Sequence, residues 1–158
     1  MGFIRRWWLL DPIEKPNRTN TVFTDSYLRE AFAYEYFKHQ ADYLPKKDGE
    51  RVKLNKQYVE QVYDEKVEAA KKVSSVRQMT VPQTPTKPNA VLAWHNVEST
   101  GFNVQLYRFA RQQEQPVYGV LFWAVTVIEC DEDVSNIRLA VGSNSASMWW
   151  LNGEEALI

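Results

Sequence analysis

Two histidines, one cysteine, two clusters of acids and six tryptophans are the residues of this 158-residue chain whose types could do chemistry. His39 and His95 are the available bases, and a serine nucleophile needs one of them within hydrogen-bond reach. Gly142-Ser143-Asn144-Ser145-Ala146 has the look of a nucleophile elbow. It lacks both the Gly-x-Ser-x-Gly spacing and the strand-to-helix setting that pushes such a serine outward. His39 is expected to end an exposed helix, where the dipole favours a cation, and His95 to be a hydrogen-bonded structural residue in a strand. A complete triad is therefore not expected. Glu129, Asp131, Glu132 and Asp133 are clustered, as are Glu154 and Glu155. Catalytic carboxylates face each other across a sugar at roughly 5–9 Å, whereas acids in one turn are solvated together. Asp131 and Asp133 offer the oxygens that calcium prefers, but no ligand set follows from their spacing, so a structural calcium stays unassigned and no cofactor is expected. Cys130 is alone, which excludes an internal disulfide and a cysteine-based zinc site.

The aromatics are the richer resource. A sugar presents an apolar C–H face that sits well on a tryptophan or tyrosine ring, while neighbouring amides bond its hydroxyls. Strand geometry puts Met148, Trp150 and Asn152 on one face and Trp149 and Leu151 on the other. One of the adjacent tryptophans should meet the core and the other should face outward, and the same holds for Trp7 and Trp8. Trp149 is the leading candidate for a carbohydrate contact, with Asn144 in the preceding loop as its polar helper.

Positioning those residues requires a core, and the composition allows one. Apolar residues make up 44% of the chain and aromatics 13%, which argues against disorder. Nineteen basic residues against twenty acidic ones leave a net charge of −1, without the basic footprint that nucleic-acid binding needs. No apolar run is long enough to span a bilayer. Trp7-Trp8-Leu9-Leu10 runs straight into Asp11-Pro12, so no signal peptide is visible. The length suits one domain over residues 1–158.

Phe3–Leu10 reads as a strand, Asp25–Lys38 as a helix capped by Thr24, and Tyr58–Val73 as an amphipathic helix with Val59, Val62, Tyr63, Val67, Ala70 and Val73 on one stripe. Ser74–Asn89, with Pro82, Pro85 and Pro88, reads as a linker, so residues 56–89 look like a helical and proline-rich insertion. Strands are predicted at Ala90–Val97, Phe102–Phe109, Val117–Glu129 and Asn136–Val141. Another runs up to Asn152-Gly153, a dipeptide that predicts a tight type I′ hairpin.

The run Gly142 to Gly153, with Trp150-Leu151-Asn152-Gly153 at its end, resembles the galactose-binding-like jelly-roll domains attached to secreted bacterial carbohydrate-active enzymes. That family commonly reads Gly-Ser-Asp-Asp-Gly before its Trp-Leu-Asn-Gly, and Asn144, Ser145 and Ala146 depart from it. The family's tryptophan there is a regular scaffold feature, so the resemblance implies a structural role for Trp150. Ile4-Arg5-Arg6-Trp7-Trp8 is similar to the family's opening strand, although Asp11 stands where a glycine is usual. Tyr118–Ala124 followed by Asp131-Glu132-Asp133 resembles its penultimate strand and acidic turn. The resemblance implies a mainly β sandwich decorated by two helices, expected to be truncated at the C-terminal end because family members continue with further strands. It also implies a non-catalytic accessory module of an acetylxylan-esterase-like protein, secreted, periplasmic or on the bacterial surface. Its partners would be a glycan or a neighbouring catalytic domain. A purely structural domain, or a small esterase or glycoside hydrolase, are the other readings.

Overall fold

The computed structural model describes residues 2–14, 29, 31–32, 34–76 and 88–157, the side chains of 66 and 69–76 excepted. Among the described residues the framework is β-rich, built of antiparallel sheets with two complete helices, and none of the sheets closes. The main sheet has four strands in the order β3-β4-β1-β6, comprising Arg51–Lys53, Val91–Glu98, Arg6–Leu10 and Ala124–Val125. β1 lies inside it, with Leu10 opposite Trp94 on β4 and Leu9 opposite Ala124 on β6. β2 (Ile13–Glu14) pairs with β5 (Val120–Leu121), and β7 (Trp149–Leu151) forms a hairpin with β8 (Glu154–Leu157).

β1 and β2 are one chain direction interrupted by Asp11-Pro12. Four positions separate Leu9 from Ile13, yet three separate their partners Ala124 and Leu121, so one extra residue is absorbed there. Proline has no N–H to give a ladder, and such a bulge is where a strand tolerates it. The Asp11 N–H turns away to the Ala93 carbonyl at 3.0 Å.

The core lies on one face of the main sheet and is largely aromatic. Leu10, Leu92 and Trp94 point into it from β1 and β4, and Trp8 packs against it. Trp94 is fully buried, stacked on Tyr43 at 5.8 Å, with the edge of Phe37 at 6.3 Å. Trp123 meets Phe37 edge-on at 5.8 Å and stacks on Trp150 at 5.6 Å. The long helix α1 (Lys56–Val76) closes the core with Tyr58, Val59 and Val62, while Tyr63 and Val67 are half-buried. Asn55 starts it by accepting the Gln57 N–H at 3.0 Å, satisfying one orphan donor of the first turn. The segment expected to be an insertion thus supplies three core residues in its first two turns. Ala70 and Val73 lie in the helix but their side chains are not described, and the proline-rich stretch 77–87 lies outside the described residues.

The opposite face of the main sheet carries Leu9 and His95 and is covered by α2 (Leu106–Gln112), whose Phe109 and Ala110 are buried. Here the expected strand Phe102–Phe109 is corrected. Its apolar alternation is real, but burial falls on the adjacent pair Phe109 and Ala110, which a helix can deliver to one face. Leu, Arg, Ala and Gln favour that helix.

Three further expectations are corrected. Val117–Glu129 is not one central strand; only Val120–Leu121 and Ala124–Val125 pair, because the bulge at Asp11-Pro12 breaks the facing ladder. Asn136–Val141 forms no strand: Ile137 and Leu139 are 66% and 59% exposed, and β propensity makes no strand without a ladder. The helix expected to reach Lys38 does not. Arg29, Ala31 and Phe32 have helical backbone, but Phe37 forms an antiparallel bridge with Leu54 and His39 sits in a turn with φ 60°. The first part of that helix lies outside the described residues.

Candidate functional site

Trp149 opens β7, and its position follows from the hairpin. Asn152 (φ 52°) and Gly153 (φ 82°) both adopt the left-handed conformation of a type I′ turn, the geometry the Asn-Gly pair predicts. The return strand β8 pairs Leu151 with Glu154, and a register shift lies between Trp149 and Trp150. The two tryptophans divide as the period of two requires. Trp150 stacks on Trp123 and meets Phe32 edge-on at 5.9 Å, on the core side.

Trp149 turns the other way and meets Trp7, with ring centroids 6.3 Å apart and planes at 75°. Its Nε1–H donates to Ser147 Oγ at 3.0 Å, and Trp7 Nε1–H donates to the Ile4 carbonyl at 2.9 Å. Both rings are half-buried, so each has its polar edge spent and part of a face open to solvent. Asn144 is exposed in the loop before β7, where the Ser145 N–H bonds Ser143 Oγ at 3.2 Å. The structure brings Trp149 to Trp7 and Ser147 rather than to Asn144. Sequence reading sends one of Trp7 and Trp8 outward by parity, but it neither says which nor pairs it with a residue 142 positions away.

His95 makes the second constellation. Its Nε2 lies 2.8 Å from Asp11 Oδ1, with the two side chains 22% and 14% exposed. Asp11 Oδ2 accepts the Ala93 N–H at 2.9 Å, and Phe109 presses on the imidazole at 5.3 Å between ring centroids. An acid that orients a histidine is two-thirds of a triad. Among the described residues the ring has no other hydrogen-bond partner, so no hydroxyl or thiol is held for attack. The pair instead ties the bulge after β1 to β4. Asp11, standing where the resembled family has glycine, was missed as a partner; its only sequence signal is a carboxylate placed before a strand-ending proline.

A third place is a cleft lined by Glu14, Tyr58, Asn89 and Gln115 over an apolar floor. Burial pushes the Tyr58 phenol well above its ordinary pKa, with Tyr36, Glu14 and Glu65 adding to the effect. Its hydroxyl is buried without a hydrogen-bond partner among the described residues, which costs about 1–3 kcal/mol.

The acids Glu129 and Asp131 to Asp133 are exposed, and Glu155 is engaged by Arg29 at 2.8 Å. Among the described residues no three His, Cys, Asp or Glu side chains converge as a metal site, and no helix is long and apolar enough to cross a membrane. No family model matches the chain, and neither a curated protein nor a solved structure is found to be similar to it.

Proposed function

We propose that this chain is a non-catalytic module that binds glycan through the outward pair Trp7 and Trp149. In this reading it is the galactose-binding-like jelly-roll accessory domain that its Trp150-Leu151-Asn152-Gly153 motif resembles, and it belongs to an exported bacterial protein acting on polysaccharide. The observation that carries it is the Trp7–Trp149 contact. Two rings held at 75°, each with its N–H already satisfied, offer apolar faces to a sugar without leaving a buried donor unpaired. The loop before β7 supplies hydroxyls and the Asn144 amide for the sugar's polar edge. Sites of this shallow kind bind weakly, with affinities of roughly micromolar to millimolar.

Titration with xylan and galactan oligosaccharides, followed by tryptophan fluorescence, tests the reading. Trp149→Ala and Trp7→Ala should each abolish the signal, while Asn144→Ala weakens it. Binding that survives both tryptophan substitutions would overturn it.

A second reading has its own support. Val127, Ile128, Ile137 and Leu139 are all more than half exposed, as is Leu151 on β7. Apolar area of this kind fits a structural role in which the module packs on a neighbouring catalytic domain. Absence of any glycan binding by the wild type would favour it.

A further inference from the structure

A carboxyl or carboxamide one carbon from the main chain precedes glycine at two places, Asp48-Gly49 and Asn152-Gly153. In such a pair the glycine nitrogen can attack the preceding side-chain carbonyl carbon, because no Cβ on the glycine crowds the approach. The fold treats the two pairs differently. Gly49 N–H donates to the Trp94 carbonyl at 2.8 Å, and Asp48 Oδ1 accepts the Asn96 N–H at 2.7 Å, so the sheet engages both reacting groups. At the second pair both residues are exposed, and among the described residues neither the Gly153 N–H nor the Asn152 side chain has a hydrogen-bond partner. A Cβ at Gly153 would meet nothing within 4 Å, so the approach is open. Every other asparagine of the chain is followed by a residue with a side chain.

We propose that Asn152 is a site of spontaneous covalent modification, its amide converting to a carboxylate through a cyclic imide. The Gly153 nitrogen gives its proton to solvent and attacks Asn152 Cγ. A Cγ–N bond forms, the Cγ–Nδ2 bond breaks, and the amide nitrogen leaves as ammonia with a proton from water. Water then adds to one of the two imide carbonyls. Opening at Cγ gives aspartate, and opening at the main-chain carbonyl gives isoaspartate, whose chain runs through the former side chain. Nothing is oxidised or reduced, and water is the only co-reactant.

The hairpin both permits the step and suffers from it. At φ 52° and 82° the turn is well formed, so it must loosen before the side chain swings over the Gly153 nitrogen. A two-stranded sheet is marginally stable by itself; β7 and β8 form such a sheet, and β8 is exposed along its length. Loosening at the Asn-Gly end is therefore cheap. Isoaspartate adds a methylene to the main chain, which a two-residue type I′ turn does not accommodate, and it sets a new negative charge beside Glu154 and Glu155. Both changes open the hairpin and release Trp149 from Trp7 and Ser147.

The test is incubation of the whole chain in mildly alkaline buffer, followed by peptide mapping with fragmentation that tells isoaspartate from aspartate. The peptide carrying Asn152 is expected to gain the mass of an amide turned acid before any other asparagine does, partly as isoaspartate, and more slowly in mildly acidic buffer. The Trp149 indole N–H resonance should move in the isoaspartyl form. Asn152→Gly keeps a turn that two glycines favour and removes the amide, so mass gain and resonance change should both vanish. Gly153→Ala loosens the hairpin but crowds the attacking nitrogen, and conversion should slow. An Asn152 that stays intact, conversion to aspartate alone, conversion undiminished in Gly153→Ala, or an unmoved Trp149 resonance in the isoaspartyl form would each overturn the proposal.

Discussion

Asp11 is the residue on which the two faces of this molecule depend most. One carboxylate receives the Ala93 N–H and holds the His95 ring, so Asp11→Ala orphans partners in a half-buried setting. A loss of about 1–3 kcal/mol is expected in urea unfolding, and His95→Ala should cost less because it leaves the Ala93 bond intact. Neither the wild type nor these variants should turn over acetyl esters or aryl glycosides, since among the described residues no nucleophile is held at the ring. Turnover that His95→Ala abolishes in a folded protein would reverse that conclusion. Tyr43 carries the alkaline limit. Its O–H donates to Glu50, which pushes the Tyr43 pKa up to about 12 and Glu50 below its ordinary value. A raised phenol pKa contributes stability that is whole below about pH 10 and drains away as pH rises toward 12, while a lowered carboxylate contributes stability that fades in acid. Tyr43→Phe should therefore flatten both limbs of a stability–pH curve measured by urea unfolding, and it should delete the tyrosine that titrates near pH 12 in ultraviolet absorbance.

At the scale of elements, the hairpin and the short helix make opposite lessons. Asn152-Gly153 needs no tertiary help, because two left-handed residues in sequence favour one turn. Gly153→Ala introduces a side chain at φ 82°, where the difficulty is the backbone angle and not space, since nothing lies within 4 Å. It should cost about 1 kcal/mol or more, seen as a lower melting temperature and faster amide exchange in β7 and β8. Phe102–Phe109 has an alternating pattern that suggests a strand, and the sheet decides against it, with Leu106–Gln112 helical instead. What α2 must do is cover Leu9 and His95 with Phe109 and Ala110, neighbours in sequence that only a helix turns to one side. Phe109→Ala should cost about 3–5 kcal/mol in urea unfolding, and Ile137→Ser, in the exposed stretch before the hairpin, no more than about 0.5 kcal/mol. If Ile137→Ser proved as damaging as Phe109→Ala, the exposed stretch would be packed in solution.

For the whole molecule, stability rests on the aromatic cluster of Phe37, Trp94, Trp123 and Trp150, joined by Tyr36 and Tyr58. Trp94→Ala is expected to cost about 3–5 kcal/mol, a large part of what a domain of this size possesses, with loss of cooperative unfolding by near-ultraviolet circular dichroism. Four of the six tryptophans, Trp8, Trp94, Trp123 and Trp150, are thereby committed to the core or its margin. That leaves Trp7 and Trp149 outside it, the pair on which the proposed glycan contact rests.

Sequence by itself determined what depends on near neighbours along the chain. The first strand, the amphipathic helix after Asn55, the strand carrying Trp94 and His95, and the Asn-Gly hairpin are all written in spacing, caps and backbone preference over a few residues. So is the parity that sends one of Trp149 and Trp150 inward and the other outward. Tertiary structure alone decided what depends on a partner far away. Asp11 reaches His95 across 84 positions, Trp7 reaches Trp149, and the bulge at Asp11-Pro12 breaks the strand that faces it. Asn136–Val141 has the residues of a strand and lacks a ladder, because a strand is completed by hydrogen bonds to another segment and no local pattern can supply them.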